Sequence, residues 1–238
     1  MKNIAIIIPT YNELENIENL ILEILKYVPN VTIFIVVDSK TQEIGKLIRN
    51  NNLKAKYFYR TKETGRGSAV IYGLKKALEE NKYETFIEMD ADFSHNPKEL
   101  PGNIDLFLKN KLDLLIASRY LKESKIINWS LSRRILSKLS NFLARNLLNI
   151  PLKDFTNGFR IYSQQAVKKI VSSCGNIGDG FIILSEIIVV IKNNTLNIKE
   201  VKTVFVNRER GKSSVNLKLI TASLYGIIKL TMIKKKLK

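Results

Sequence analysis

The 238-residue sequence predicts an α/β domain: a mostly parallel central sheet flanked by helices, with an amphipathic helix at the C-terminal end. Three observations lead there. Short β-branched runs alternate with stretches of helical periodicity, which calls for crossover connections and so for parallel strands. The length suits one domain core. A 45% hydrophobic share with 26% charged residues excludes a disordered or collagen-like chain.

Residues 4–8, β-branched but for Ala5, read as a strand followed by Pro9, and Leu14, Ile17, Leu20, Ile21, Ile24 and Leu25 then repeat at helical spacing. Residues 32–37 are a second strand and 56–59 a weaker third. Gly65-Arg66-Gly67 opens a helix over 68–78, residues 85–89 form a strand, 97–108 a helix and 112–117 another buried strand. In a parallel sheet, ligands gather at the carboxyl ends of the strands. That places Pro9-Thr-Tyr-Asn-Glu13, Asp38 and Asp90-Ala-Asp92 along one edge.

From Leu131 the pattern changes. Leu131, Ile135, Leu139, Phe142, Leu143 and Leu147 form an apolar stripe and Arg133, Arg134, Lys138 and Arg145 a basic one, so a basic amphipathic helix is expected over 131–149, ended by Pro151. A loop follows at 154–160, and two further helical stretches flank a strand at 198–206. Residues 217–233 are interrupted by Lys218, Thr221, Ser223 and Lys229, too polar for a membrane span of ~20 apolar residues, and end in a lysine cluster. The expected division is a domain over 1–214, with halves 1–118 and 119–214, and a basic amphipathic membrane-associating helix over 215–238.

Charge divides along the same line. Residues 1–118 carry 16 basic and 16 acidic side chains, whereas 119–238 carry 23 and 6, so the whole net charge of +17 belongs to the second half. Such asymmetry points to an anionic membrane surface or a nucleic acid. A nucleic-acid-binding module is opposed by the acidic strand ends and by the lack of a basic stripe interleaved with aromatics. Cys174 is the single cysteine and His95 the single histidine. They exclude a disulfide framework, a cysteine zinc cluster and a multi-histidine site, so a metal would be held by carboxylates. The N-terminal apolar run is too short for a secretory signal, and the expected location is cytoplasmic.

Asp90-Ala-Asp92 is the pattern that carries chemistry. Two adjacent carboxylates repel each other and invite a hard divalent cation, Mg²⁺ or Mn²⁺, which keeps positions open for phosphate oxygens. With Pro9-Thr-Tyr-Asn-Glu13, Asp38, Gly65-Arg-Gly67 and Asp90-Ala-Asp-Phe-Ser-His95 in this order, the chain resembles the family 2 glycosyltransferases of the GT-A fold type. Ala117-Ser-Arg-Tyr120, Arg133-Arg134, Asp154-Phe-Thr-Asn-Gly-Phe-Arg160 and Phe205-Val-Asn-Arg-Glu-Arg-Gly-Lys-Ser213 are similar to the dolichol-phosphate mannosyltransferase branch.

The resemblance implies a nucleotide-sugar-binding site formed by Pro9, Tyr11, Glu13, Val37, Asp38, Asp90, Ala91, Asp92, Arg208 and Lys212. It implies a metal held by Asp90, Asp92 and Ser94, where some relatives place a glutamine. Asp90, Asp92, Arg119 and Arg133 are the implied catalytic residues, and Arg119, Arg133 and Asp154 the implied acceptor site. The chain departs from the family at Asp38-Ser39, where relatives carry two aspartates, and at Ser214, where they carry a lysine that Lys212 is expected to replace. The implied activity is metal-dependent, inverting transfer of a hexose, mannose from GDP-mannose before other donors such as UDP-glucose. The acceptor is a polyprenyl or dolichyl monophosphate, with a non-lipid acceptor as the alternative. The enzyme would be peripheral on the cytoplasmic face of a membrane; many relatives append transmembrane helices, and a membrane-protein partner is a further expectation.

Overall fold

The computed structural model describes residues 3–11, 13–39, 42–61, 65–178, 180, 182–207 and 217–237, with backbone alone over 217–224. The first half alternates as its periodicity predicts: β1 (Ile4–Thr10), α1 (Leu14–Tyr27), β2 (Val31–Val37), α2 (Glu43–Asn50), β3 (Ala55–Tyr59), α3 (Arg66–Glu79) and β4 (Thr85–Glu88). A short 3-10 turn, Pro97–Glu99, is capped by the Asn96 side chain and leads into α4 (Leu100–Lys109) and β5 (Leu114–Ser118). Next come β6 (Lys125–Ile127), α5 (Leu131–Leu148), β7 (Arg160–Ser163), α6 (Gln164–Ser173), α7 (Ile182–Asn193), β8 (Ile198–Lys202), β9 (Val204–Val206) and α8 (Leu217–Ile233).

Seven strands form one sheet in the order β3-β2-β1-β4-β7-β5-β8, and β6 pairs with β9 in a small second sheet. All pairings are parallel except those of β7, which runs antiparallel to both β4 and β5. Side chains alternate along each strand. Ile6 and Ile8 of β1 therefore join the layer under α1, α2 and α4, while Ala5 and Ile7 join the layer under α3, α6 and α7. Gly73 of α3 permits close helix–sheet contact, since a Cβ there would lie 2.6 Å from Ile7 Cγ2.

Several features differ from the sequence expectation: β1 runs on through Pro9 to Thr10, β6 is an added strand, and three helices rather than two, α6, α7 and α8, flank β8 and β9. Helix α2 has Ile44, Leu47 and Ile48 at helical spacing but is only 8 residues long, too short for the repeat to stand out. The loop expected over 154–160 gives way at Arg160 to strand β7; Arg160 is fully buried, with all three guanidinium nitrogens donating to the carbonyls of Asn157, Phe155 and Leu184. The strand expected over 198–206 divides at Thr203 between the two sheets. Glu99 holds the division, accepting from Thr203 Oγ1 at 2.7 Å and Val204 N at 2.9 Å.

Helix α5 starts at an N-cap, Ser130, whose hydroxyl accepts from Arg133 N, and ends at Asn149 in the left-handed region. It turns its small and polar side inward: Asn141, Ala144 and Leu148 are buried, while Leu131, Ile135, Leu139, Phe142 and Leu147 face outward. Helix α8 packs on α5 and α7, with Ile227 and Leu230 inside the core and Tyr225, Ile228 and Met232 exposed. No helix among the described residues is long and apolar enough to cross a membrane.

Candidate active site

The carboxyl ends of β1 and β2 are level, Thr10 opposite Val37. Pro9 and Val37 are buried, so what they bring to the edge is backbone. Glu13 folds back to accept from Thr10 Oγ1 at 2.6 Å and Tyr11 N at 2.8 Å, which fixes the turn and leaves the Tyr11 ring 64% exposed. An exposed ring on a fixed turn is a stacking surface for a planar base. Asp38 is already engaged. Arg60, at the matching end of β3, grips it with two parallel hydrogen bonds of 2.6 Å, and Gly65 N donates to its Oδ2 at 3.0 Å. Arg60 also donates to Gly65 O and Ser68 Oγ, so one ion pair ties β2, β3 and the start of α3 together.

Asp90 and Asp92 follow β4. Arg66 reaches across from α3 and donates to Asp90 Oδ1 from Nε at 2.8 Å and Nη2 at 2.6 Å, and to Glu88 Oε1 from Nη1 at 2.6 Å. Glu88 is fully buried and accepts from Tyr162 Oη at 2.6 Å. Burial works against the Arg66 charge, but Asp90 and Glu88 more than offset it and hold its pKa above the ordinary arginine value. Gly158 makes the space: a Cβ there would lie 1.8 Å from Arg66 Nη2. Asp92 Oδ1 accepts from Ser94 N, and Ala91 is buried between the two aspartates. His95 is buried, with Nδ1 accepting from Asp90 N and Nε2 3.0 Å from Asn157 Oδ1. An imidazole bonded in this way on both nitrogens is a structural strut.

At the carboxyl end of β5, Arg119 pairs with fully buried Asp154 through Nε and Nη2, both at 2.8 Å; its backbone N–H donates to the same carboxylate and Nη2 also reaches Thr156 Oγ1. Asp154 further accepts from the N–H groups of Thr156 and Asn157. Burial would raise the Asp154 carboxyl, but Arg119 and these donors hold it below the usual aspartate value. Arg119 lies over the rings of Trp129 and Phe205, and Arg133 stacks on Trp129 at 4.2 Å while donating to Asn207 Oδ1. The two arginines therefore share one aromatic floor. Trp129 Nε1 is buried beneath them with no acceptor among the described residues.

The structure thus groups Tyr11, Glu13 and Asp38, then Asp90 and Asp92, along one sheet edge, and places Arg119, Arg133 and Asp154 in a second cluster. Arg208 and Lys212 lie outside the described residues. Sequence reasoning passed over Arg60, Arg66, Glu88, Gly158 and Trp129. Arg60 could have been found as a cation at a strand's carboxyl end, and Arg66 as the side chain between two glycines. Among the described residues no group of three or more His, Cys, Asp or Glu side chains is placed to hold a metal. Two aspartates with the buried Ser94 Oγ, which has no hydrogen-bond partner, nevertheless form a hard-oxygen set of the kind Mg²⁺ or Mn²⁺ takes when phosphate oxygens complete its shell.

A largely parallel sheet with carboxylates at its carboxyl edge, where ligands gather in such sheets, and a basic cluster on an aromatic floor define the α/β class of this chain. The family model for Glycosyl transferase family 2 matches residues 5–171, and the chain belongs to that family: it is a glycosyltransferase. It is 31% identical over 226 residues to the polyprenol monophosphomannose synthase of Mycolicibacterium smegmatis, covering 93% of this chain and 84% of that protein. To the dolichol-phosphate mannosyltransferase of Pyrococcus furiosus it is 34% identical over 95% of this chain, and it spans 63% of that protein's length. Among solved structures, glucosyl-3-phosphoglycerate synthase from Mycobacterium tuberculosis in complex with phosphoglyceric acid shares the fold, with TM-score 0.68 and 16% identity over all of this chain and 81% of that one. The same enzyme in complex with Mn²⁺, uridine diphosphate and glucosyl-3-phosphoglycerate has TM-score 0.66 and 17% identity over 98% of this chain and 80% of that one.

Proposed function

We propose that this glycosyltransferase moves a mannosyl group from GDP-mannose to a polyprenyl or dolichyl monophosphate at the cytoplasmic face of a membrane. The observation that carries the reading is its similarity, at 31 and 34% identity over more than nine-tenths of the chain, to relatives named for mannosyl transfer to polyprenol and dolichol phosphate. The site chemistry agrees. Tyr11, Glu13, Asp38 and the backbone at Pro9 and Val37 would hold the nucleoside. Asp90, Asp92 and Ser94 would hold Mg²⁺ or Mn²⁺, which when bound neutralises the donor diphosphate.

A phosphate monoester has a second pKa of about 6, so near neutral pH its oxygen is already largely an anionic nucleophile. The protein then has no need of a strong general base, consistent with His95 being spent on Asp90 N and Asn157. What the residues must do is bring two phosphate groups together and align them. Arg119 and Arg133 on their shared floor would face the acceptor phosphate, and Asp154 positions Arg119. A single in-line displacement inverts the anomeric centre.

The membrane part rests on the outward stripe of α5 and the exposed side of α8, flanked by Lys138, Arg145, Lys229, Lys235 and Lys236. An apolar face rimmed by cations suits an anionic lipid surface. The test is a donor panel with a short polyprenyl phosphate and Mg²⁺ or Mn²⁺, read as sugar-labelled lipid. Mannosyl lipid from GDP-mannose is expected; transfer from a UDP-sugar alone would change the donor, and the absence of lipid product with every donor would overturn the reading. Calorimetry on folded Asp92→Ala should show loss of metal-dependent donor binding, and unchanged affinity would remove Asp92 from the metal site.

A further inference from the structure

Beside the arginine floor, on another flank of α5, lies a 270 Å³ pocket lined by Tyr120, Lys138, Asn141, Phe142, Arg145 and Lys153. Its polar neutral groups are spent internally: Tyr120 Oη donates to Ser137 Oγ, and Asn141 donates to Ser137 O and Thr156 Oγ1 while accepting from Phe155 N. Its cations are not. Among the described residues, the side chains of Lys138, Arg145 and Lys153 make no ion pair or hydrogen bond. The carboxylate of Glu200, which meets this segment, is taken by the N–H groups of Lys153 and Asp154. Three positive charges without a protein partner, beside neutral groups whose donors are already used, favour an anion.

The surroundings narrow the anion. Lys138, Phe142 and Arg145 recur at i, i+4 and i+7, which puts them on one flank of α5. Phe142 is 61% exposed and continues into the outward stripe of Leu139, Ile135 and Leu131. An anion in the pocket would therefore have open apolar surface directly beside it, the arrangement a headgroup with attached acyl chains matches. Lys138 lies five residues beyond Arg133, about 140° round the helix at 3.6 residues per turn. The pocket is thus on a different flank from the arginine proposed for the acceptor.

We propose that this pocket binds the phosphodiester of an anionic phospholipid and thereby sets the orientation of the enzyme on the bilayer. The proposal rests on the membrane part of the reading above but on none of its catalytic residues. Inorganic phosphate shares the charge of such a headgroup without its chains.

The test is calorimetric titration of the full chain with three probes: dihexanoylphosphatidylglycerol below its micelle concentration, dihexanoylphosphatidylcholine, and inorganic phosphate. Phosphatidylglycerol is expected to bind at one site at least tenfold more tightly than either of the others. Lys138→Gln combined with Lys153→Gln should abolish that preference, while Lys109→Gln with Lys111→Gln, an equal loss of charge at exposed positions elsewhere, should leave it. Phosphate binding as tightly as the lipid would make this a free-anion site and overturn the proposal, as would equal losses in the two double variants. Transfer to a short polyprenyl phosphate in detergent separates the two readings. The pocket variant is expected to keep it, and loss of transfer with normal donor binding would assign the pocket to the acceptor. No transfer by the wild-type chain would count against the proposed reaction and leave the headgroup site standing on its titration.

Discussion

Arg66 is held between Glu88 and Asp90, and Gly158 is what allows it to be there. The guanidinium occupies Oδ1 of Asp90, fixing the carboxylate's rotation, and a planar fork that meets two acids is not replaceable by a lysine's point charge. Gly158→Ala would drive a methyl group into Nη2; overpacking of this kind costs about 1–3 kcal/mol. The expected outcome is a folded protein by circular dichroism with transfer reduced at least tenfold, and Arg66→Lys should behave likewise. Full activity in a folded Gly158→Ala would show that the orientation of Asp90 is set elsewhere.

The Arg119–Asp154 pair gives a pH signature. The Asp154 carboxyl is held low in the folded chain although burial works against its charge. Between its folded value and the ordinary aspartate value of about 3.9, the unfolded chain binds more protons. The pair's stabilisation is therefore complete above that ordinary value and is lost as pH falls below it. Asp154→Asn leaves a buried arginine without its partner and should cost about 3–5 kcal/mol. Urea midpoints measured from pH 7 to 3 should fall more steeply for the wild type than for the variant below about pH 4.

Among the elements, α5 separates two jobs by face. Its inward side is small and polar enough to seat against Phe155 and Thr156, and its outward side presents a row of large apolar residues that contribute little to the fold. Leu139→Asp with Phe142→Asp should change stability by little more than the ±0.5 kcal/mol typical of surface sites yet remove the salt-resistant part of binding to anionic vesicles in sedimentation. Ala144→Asp, a buried charge on the opposite face, should unfold the domain. Helix α8 depends on one close approach, since a Cβ at Gly226 would lie 2.7 Å from Ile182 Cγ1. Gly226→Leu is expected to lift α8 from α7, read as faster amide exchange over 225–233 with little change in the first half.

At the scale of the molecule, an electrically balanced half that gathers carboxylates at one edge is joined to a half that carries the entire net charge of +17. Each Lys or Arg near an anionic surface contributes on the order of 1 kcal/mol, an attraction that salt screens, whereas burial of the α5 stripe in the lipid boundary is insensitive to salt. Raising salt to 1 M should therefore release only part of the protein from anionic vesicles, and detergent the rest. Complete release by salt would leave the apolar stripe without a role at the surface.

The alternation of strands and helices, the carboxylates after β1, β2 and β4, and the two-sided character of α5 were all legible in the sequence, because each depends on neighbours within a turn or a strand. Strand β7 was not: it is four residues long, and its first, Arg160, is held by the carbonyls of Phe155, Asn157 and Leu184, contacts that include helix α7. Nor were the pairs that shape the site. Arg60 meets Asp38 across 22 residues, Arg66 meets Asp90 across 24 and Arg119 meets Asp154 across 35. Local chemistry determined from the sequence which residues could act and along which edge they emerge. Only the tertiary structure decided which charges neutralise one another and that the apolar side of α5 turns outward, because both depend on contacts between segments whose separation along the chain carries no information about their distance in space.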